Sequence, residues 1–328
     1  MLSYFLLTVE LSNGSCNISL QGDRVGLTCI YSLSFSLGLP ANLLSLWSLY
    51  RLGVADRGVQ LVLILNLLLS DLLQLLTLPL WLVTLQGAHV WHYEPVLCEV
   101  VGYLFYINLY ASVAFLCLIA LDRYLAIVHP LGSRRLRSTK YATISAMVIW
   151  ALTILFCLSG LYPSIYHPDT HLCLERYPTT ARYARFKIAT VVLGYLLPCA
   201  VLGYTSARIH WTLQRSPSVS EHAQHRIVGT LSLITTIFIL VFGPYHLVGG
   251  YKFVGFFLTH DRCGLERSLF LPYRFSYGLT SLNGLFDSFL YIFMCRDIQQ
   301  ELRKSLLCQE AESNDSIPLN QLIQSDNL

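Results

Sequence analysis

Residues 118–130 read LIALDRYLAIVHP and place the triplet Asp122-Arg123-Tyr124 at the end of a long apolar run. Charged side chains are costly in hydrocarbon, so an Asp-Arg pair at the margin of an apolar segment needs a reason. One interpretation is an interfacial ion pair that marks where the lipid ends. The other is a switch that faces a cytoplasmic partner. The number and direction of the other apolar segments decide between them.

The composition indicates a membrane protein. Of the 328 residues, 54% are hydrophobic and only 12% are charged, which is about half the charged fraction of a soluble domain. A membrane span takes roughly 20 apolar residues, and seven blocks of that length lie at about 25–50, 59–86, 96–128, 140–162, 185–213, 227–258 and 268–294. Open strands cannot satisfy their backbone groups in lipid. We therefore predict an all-α integral membrane protein with a seven-transmembrane helix bundle over residues 25–294.

Two features set the expected orientation. The sequons Asn13-Gly14-Ser15 and Asn17-Ile18-Ser19 accept glycans only if the N-terminus lies outside the cell. With that orientation the inner side carries more Lys and Arg than the outer side, as the positive-inside rule requires. We expect a multi-pass plasma-membrane protein with an extracellular tail at residues 1–24 and glycans on Asn13 and Asn17.

Residues 295–308 follow the last span with apolar side chains at helical spacing. This pattern predicts a short amphipathic helix that lies flat on the inner leaflet. Cys308 is a candidate for palmitoylation there, and the alternative is a free cytosolic thiol. Residues 309–328 are polar, which predicts a disordered cytoplasmic tail.

Other classes of membrane protein are not supported by the residues. The chain contains no His-Glu-x-x-His, no Gly-x-Ser-x-Gly and no phosphate loop, so we expect no enzyme. Residues 268–294 contain no lysine for retinal, and a transporter would show two-fold repeats. We expect no cofactor and no nucleic-acid partner, while membrane lipids surround the bundle.

A series of motifs follows the seven blocks in order. They are Asn42 in the first span, Asn66-Leu67-Leu68-Leu69-Ser70-Asp71 in the second, Trp91 in the loop after it, Cys98 and Asp122-Arg123-Tyr124 at the two ends of the third, Trp150 in the fourth, Pro198 in the fifth, Phe238 and Phe242-Gly243-Pro244 in the sixth, and Asn283 and Asp287-Ser288-Phe289-Leu290-Tyr291 in the seventh. Over residues 20–308 this series resembles the rhodopsin-like (class A) G-protein-coupled receptors. The resemblance implies a switch of Asp122, Arg123, Tyr124 and Tyr291 that meets a heterotrimeric G protein, with arrestin and receptor kinases as further partners.

Shorter matches narrow the resemblance. They are Phe242-Gly243-Pro244-Tyr245-His246, Tyr183-Ala184-Arg185-Phe186, Cys263-Gly264-Leu265-Glu266 and Asp287. These segments are similar to the proton-sensing, lysophospholipid-related subgroup, and in it to the member that responds to oxidised fatty acids or lysolipids. The implied function is a cell-surface receptor for extracellular acid, for such a lipid, or for both. The alternatives are a class A receptor for another small ligand and a weakly signalling or non-signalling scaffold receptor.

The outer cysteines are expected to form disulfides. The resemblance pairs Cys98, at the outer end of the third span, with Cys173 in the following outer loop, in an oxidising compartment. Cys16 and Cys263 are the two other outer cysteines, and their pairing would tie the N-terminus to the loop before the last span.

Two carboxylates, Asp71 and Asp287, lie deep within apolar spans, where an ionisable group is by default functional. The resemblance implies that the two lie close together, and neighbouring carboxylates in a low-dielectric medium do not ionise independently, so the pair is a candidate proton acceptor. The resemblance surrounds the pair with four polar residues, which are Asn42, Asn108, Ser112 and Asn283, and implies a sodium ion near Asp71. The alternative is a hydrogen-bonded polar cluster that serves only the core.

Histidines are the other groups that titrate between pH 5 and 8. Six candidates for proton sensing lie in outer loops, at span ends or facing the expected cavity: His89, His92, His167, His171, His246 and His260. The alternative is that they are solvated side chains with no role.

A lipid ligand needs cations for its acid group and an apolar slot for its chain. The candidate cations are Arg182, Arg185, Lys187, Lys252 and Arg274, and the candidate walls are Tyr103, Phe105, Tyr106, Phe242, Tyr245 and Phe253. The alternative is that the arginines extend to the phosphates of the outer leaflet.

Three departures from the family pattern weaken the expected activation. Ser288 stands in place of the proline of the last-span motif, and Ser206 in place of a tyrosine in the fifth span. Thr153 stands where some proton-sensing relatives carry a buried glutamate. They bear on the acid response and the strength of coupling, and leave the architecture unaffected.

Overall fold

The computed structural model describes residues 22–51, 58–87, 89–162, 165–174, 177–216 and 220–294, with side chains up to residue 289. Four predictions therefore lie outside the described residues: the glycans at Asn13 and Asn17, the amphipathic helix at 295–308, the palmitoylation of Cys308, and the tail at 309–328.

Seven helical segments follow one another along the described chain. They are α1 (Arg24–Arg51), α2 (Gly58–Gln86), α3 (Pro95–Val128), α4 (Thr139–Leu161), α5 (Ala181–Gln214), α6 (Glu221–Leu258) and α7, which is helical over Arg262–Leu279 and Asn283–Met294 with a 3-10 turn at Thr280–Leu282. The first six are long and apolar enough to cross a membrane. Each of the seven overlaps one predicted block, so the predicted all-α bundle is confirmed.

Polar residues define where several helices begin. An N-cap side chain satisfies an N–H group of the first turn that has no partner within the helix. The caps with such a bond are Ser138 for α4, Thr180 for α5, Ser220 for α6 and Asp261 for α7. In α5, Pro198 follows a π-helical turn at Val192–Leu196, and α6 contains Pro244 within a continuous helix.

The helix α3 runs through the middle of the bundle and packs against α2, α4 and α5. Two of these neighbours, α2 and α4, also contact each other through motif residues. Trp150 Nε1 of α4 donates a hydrogen bond of 2.9 Å to Asn66 Oδ1 of α2. Many large apolar side chains on the outside of the described bundle are exposed, for example Leu155 and Leu240, as a lipid-facing surface requires.

A hairpin covers the outer end of the bundle. Strands β1 (Tyr166–His167) and β2 (Leu172–Cys173) pair antiparallel, with Tyr166 opposite Cys173. Cys173 is disulfide-bonded to Cys98 in the first turn of α3, with 5.8 Å between their Cα atoms. This predicted disulfide is confirmed, and it fixes the hairpin over α3. Cys263 is also disulfide-bonded, and Cys16, its expected partner, lies outside the described residues.

The contact between α4 and α5 leaves no room for a side chain at Gly160, where an added Cβ would collide with the ring of Phe186. Overpacking of this kind costs about 1–3 kcal/mol, so we expect Gly160→Ala to lower the Tm of the purified protein. Gly203→Ala is the matched control, because a Cβ at Gly203 meets nothing within 4 Å. Its Tm should be unchanged or higher, since alanine favours helix. Equal Tm values for both variants would contradict this packing.

Candidate functional site

A small cavity of about 40 Å³ opens at the end of the bundle that carries the hairpin. Tyrosines from α3, α5 and α7 line it, together with two cations, Lys252 of α6 and Arg274 of α7. Four of the predicted ligand residues, Tyr106, Lys252, Phe253 and Arg274, therefore meet at one place. Ligand pockets usually measure about 300–1,000 Å³, so this cavity is smaller than a typical ligand pocket.

Lys187 of α5 lies buried behind the wall of this cavity, with 2% of its surface exposed. Its Nζ donates hydrogen bonds to Tyr106 Oη at 2.6 Å and to Tyr245 Oη at 2.7 Å. The same Nζ lies 4.1 Å from the centroid of the Tyr106 ring and 5.2 Å from that of Tyr183. Two hydroxyls and aromatic faces thus surround the ammonium group.

Among the described residues, Lys187 forms no salt bridge to a carboxylate. A buried charge without an opposite charge is costly, and hydroxyls and ring faces offset only part of that cost. Tyr106 and Tyr183 line the cavity and also contact Lys187, and their hydroxyl oxygens are 3.2 Å apart. These two tyrosines therefore stand between the ammonium group and the cavity. The arrangement is able to accept an anion if the tyrosines separate.

Two predicted cations are not part of this group. Arg182 donates a hydrogen bond of 3.1 Å to the backbone oxygen of Ser159 at the surface, and Arg185 is exposed. The cause is helix periodicity, since residues 182 and 185 lie on the face of α5 opposite to Lys187. Their surface position fits the alternative of contact with lipid headgroups.

The aromatic residues predicted to line the ligand site also differ in position, and only some of them lie near Lys187 or the cavity. Tyr245 is buried beside Lys187. Phe242 is fully buried one turn deeper and packs on Phe238, with 5.4 Å between ring centroids. Tyr103 is half-buried, and neither it nor Phe242 lines the cavity described above.

A larger groove of about 480 Å³ lies between α3, α4 and α5. Its lining is almost entirely apolar and contains no charged residue, with Thr153 and Cys117 among the few polar contributors. An acid group would find no counter-charge there, so the smaller cavity is the better candidate for an anionic ligand.

A buried ion cluster joins three segments at the outer end. Asp23, which immediately precedes α1, contacts His89 through Oδ1 and Nε2 at 3.0 Å and Arg274 through Oδ2 and Nε at 2.6 Å. Arg274 Nη2 also lies 3.4 Å from His89 Nδ1. Because arginine can only donate, this contact is a hydrogen bond when His89 is neutral with its ring proton on Nε2, facing Asp23. Asp23 was not among the residues predicted from the sequence, because its partners His89 and Arg274 are distant along the chain.

Burial by itself would raise the pKa of Asp23, but the hydrogen bond from His89 and the charge of Arg274 hold this pKa below its ordinary value of 3.8. A depressed pKa contributes stability above the unfolded value, and this stability is lost only as the pH falls through the folded value. The Asp23 carboxylate is therefore charged throughout the physiological range. Of the three residue types in this cluster, histidine is the one that ordinarily titrates near neutral pH.

The structure does not bring the other candidate histidines to this cluster. His246 is buried in α6, with Nδ1 2.9 Å from the Phe242 oxygen and its ring stacked on Tyr195. His171 bonds to Tyr166 in the hairpin, where His167 is half-exposed. His92 and His260 are exposed.

The buried carboxylates of Asp71 and Asp287 both contact the side-chain amide of Asn283. Asn283 Nδ2 lies 2.9 Å from Asp287 Oδ2 and 3.3 Å from Asp71 Oδ1, and Ser112 Oγ donates to the same Asp71 oxygen at 3.3 Å. Asn42 is used elsewhere: it donates to the backbone oxygens of Gly38 and Gly284 and ties α1 to α7.

Several oxygens of this polar core accept no hydrogen bond from the described protein. They are Asp71 Oδ2, Asp287 Oδ1, Asn283 Oδ1 and Asn108 Oδ1. Buried polar atoms normally have a partner, and carboxylate and amide oxygens suit a hard cation. The residues present therefore fit the sodium ion that the family resemblance implies near Asp71, and equally a shared proton.

At the inner end the carboxylate of Asp122 is shared. Its Oδ2 lies 3.0 Å from Arg123 Nη2, as the triplet predicts, and its Oδ1 lies 3.0 Å from Arg137 Nε. Tyr124 Oη is 3.1 Å from His129 Nε2. Arg137 was not among the residues predicted for the switch. The side chain of Tyr291 lies outside the described residues.

We expect sodium chloride to raise the Tm of the purified protein more than choline chloride at equal ionic strength, because an ion bound only to the native state stabilises it. Asp71→Asn should remove this difference. Asp169→Asn, which changes an exposed loop carboxylate, should retain it. An undiminished sodium effect in Asp71→Asn would contradict a cation at this carboxylate.

Comparison with known proteins supports the reading of the motifs. The family model for the 7 transmembrane receptor (rhodopsin family) matches residues 26–291. The chain is 32% identical over 304 residues to the human "Probable G-protein coupled receptor 132", covering 90% of this chain and 78% of that receptor. It is 31% identical to the mouse "G-protein coupled receptor 68" over 91% of this chain and 81% of that one. It is 30% identical to the rat "Uracil nucleotide/cysteinyl leukotriene receptor" over 88% and 84%.

These matches span nearly all of the helical bundle, and they confirm the resemblance to the proton-sensing and lysophospholipid-related subgroup. The family consists of multi-pass membrane receptors, so the chain is no enzyme, and G proteins are its partners. The chain belongs to the rhodopsin-like (class A) family of G-protein-coupled receptors.

Proposed function

We propose that this receptor binds a small anionic amphiphile, a lysophospholipid or an oxidised fatty acid, and thereby activates heterotrimeric G proteins. The observation that carries the proposal is Lys187, a buried amino group held by tyrosine hydroxyls with no described acid beside it. A carboxylate or phosphate would supply the missing charge. Such charge-assisted hydrogen bonds are stronger than those between neutral groups.

The position of Lys187 suggests how the ligand enters. The acid group first meets Lys252 and Arg274, which line the outer cavity. It reaches Lys187 once the hydroxyls of Tyr106 and Tyr183, 3.2 Å apart, separate. Because Tyr106 belongs to α3 and Tyr183 to α5, this separation changes the relative position of two spans. Ligand binding is thereby able to shift the population between two states of the bundle.

The relatives add support of a chemical kind. The rat relative is named for uracil nucleotides and cysteinyl leukotrienes, which carry phosphate and carboxylate groups respectively. An anionic ligand for the present chain agrees with that chemistry, and the aromatic walls of its cavity favour one with an apolar part.

We further propose that the receptor lies in the plasma membrane with its N-terminus outside. The Cys98–Cys173 disulfide indicates an oxidising compartment at the cavity end of the bundle. Asp23, at the start of α1, contacts His89 and Arg274 at that same end. Both features favour an extracellular N-terminus.

Replacing the buried ammonium group tests the ligand proposal. In a G-protein activation assay with lysophosphatidic acid and with a hydroxylated C18 fatty acid, we expect Lys187→Gln to raise the half-maximal concentration of the active lipid at least about tenfold. The reason is the loss of a charge-assisted hydrogen bond, which contributes roughly 1.5–3 kcal/mol.

Arg185→Gln is the control, because it removes the same charge from the exposed face of the same helix. It should leave the response within about twofold of the unmodified receptor. Equal losses in the two variants, at equal surface display, would contradict an anion site at Lys187.

A second function, sensing of extracellular acid, is favoured by the Asp23–His89–Arg274 cluster. His89 Nδ1 lies 3.4 Å from the Arg274 guanidinium and, when neutral, accepts from it. Protonation places a hydrogen and a positive charge on this side, so the contact becomes repulsive. Arg274 lines the ligand cavity, so its displacement would move a positive charge that faces the bound anion and alter the contacts of α7.

Replacing the histidine tests this second function. We expect His89→Gln to flatten the G-protein response between pH 8 and pH 6, since glutamine does not titrate there. His92→Gln, at an exposed histidine of the same loop, should retain the response. A full acid response in His89→Gln would contradict the role of the cluster. No response to acid or lipid in cells that display the receptor would favour the scaffold alternative.

A further inference from the structure

The loop between α3 and α4 is built so that it returns a charged side chain to α3. Ser133 is 2% exposed, and its Oγ donates to the backbone oxygen of Leu125 in α3 at 3.0 Å. Its N–H donates to the His129 oxygen at 3.0 Å, and the Arg137 N–H donates to the Ser133 oxygen at 2.9 Å. These bonds form successive turns that end at Arg137, next to the N-cap of α4.

The Asp122 side chain, which is 5% exposed, divides its two oxygens between two guanidinium groups. One group belongs to Arg123, its neighbour in the chain, and the other belongs to Arg137, fifteen residues further on. Both N–O distances are 3.0 Å. Neither contact competes with the other, because each uses its own oxygen.

Removal of one partner from a buried ion pair is costly, because the other charge remains without compensation. If Arg123 were the sole partner of Asp122, its release toward a G protein would leave a buried carboxylate without a compensating charge. With Arg137 on the second oxygen, the carboxylate stays paired after Arg123 has left. The hydrogen bonds that hold Arg137 come from α3 and the loop itself, so movement of α6 or α7 does not break them.

We propose that Arg137 is a positioning residue of the G-protein switch that keeps Asp122 paired while Arg123 is released, and so favours the active state. The alternative is that the second ion pair at Asp122 stabilises the inactive state. Removal of the Arg137 charge would then raise receptor activity, whereas our proposal predicts that it lowers activity. The proposal concerns the inner end of the bundle and holds whichever ligand binds at the outer end.

The test measures nucleotide exchange on a panel of purified Gα subtypes by the full-length receptor in lipid nanodiscs, without added ligand. We expect Arg137→Gln to lower the exchange rate about fivefold to tenfold, the lower range of couplings between protein sites. Arg137→Lys keeps the charge and should retain at least about half of the rate. Arg135→Gln removes an equal charge from an exposed neighbour in the loop and measures the effect of net charge alone.

The role through Asp122 is tested by a double-mutant cycle. Asp122→Asn should raise exchange, and Arg137→Gln should have no further effect in that background, because no carboxylate remains to be paired. Unchanged or faster exchange in Arg137→Gln would overturn the proposal. So would an equal fall in Arg135→Gln, or an undiminished fall in the Asp122→Asn background. Rescue by Arg137→Lys separates lost charge from lost folding, and the absence of ligand separates this outcome from that of the ligand proposal.

Discussion

The low dielectric of the bundle interior is the constraint on which the rest of the structure depends, because each buried charge there needs a partner. Asp23 has His89 and Arg274, and Asp122 has Arg123 and Arg137. Asp71 and Asp287 share the amide of Asn283. Lys187 is different, since hydroxyls and aromatic rings surround it and no described acid does. A charge that the fold leaves uncompensated is where a ligand of opposite charge gains most.

One helix connects three of these four buried groups. On α3, Tyr106 bonds to Lys187 near the outer end, Ser112 bonds to Asp71 in the middle, and Asp122 pairs with its arginines at the inner end. The disulfide at Cys98 holds the outer end of the same helix under the hairpin. A displacement of Tyr106 by a ligand therefore acts on an element that also carries the switch. These contacts on α3 form a physical route that could couple the ligand site to the switch. Double-mutant cycles would measure the strength of that coupling.

The sequence predicted what depends on local pattern. Hydropathy located all seven spans, and the motifs identified the Cys98–Cys173 disulfide and the Asp122–Arg123 pair. It could not predict what depends on the rotation of a helix about its axis. Arg185 and Lys187 are two residues apart, and this spacing turns one to the surface and the other to the core.

Contacts between distant segments were equally out of reach. Arg137 reaches Asp122 only because the loop at Ser133 is wound into turns, and Asp23 reaches Arg274 across 251 residues. Neither the composition of the chain nor the spacing of its residues indicates these two ion pairs. For the same reason the sequence placed six histidines together as candidates, whereas the structure brings only His89 into a buried ion cluster.

We have proposed that Lys187 binds the acid group of the ligand. A cryo-electron microscopy structure of the receptor with an oxidised C18 fatty acid would locate that group. We expect its carboxylate within hydrogen-bonding distance of Lys187 Nζ, with the hydroxyls of Tyr106 and Tyr183 separated. A fatty acid lying in the apolar groove between α3, α4 and α5, with Lys187 still bonded to both Tyr106 and Tyr245, would contradict it.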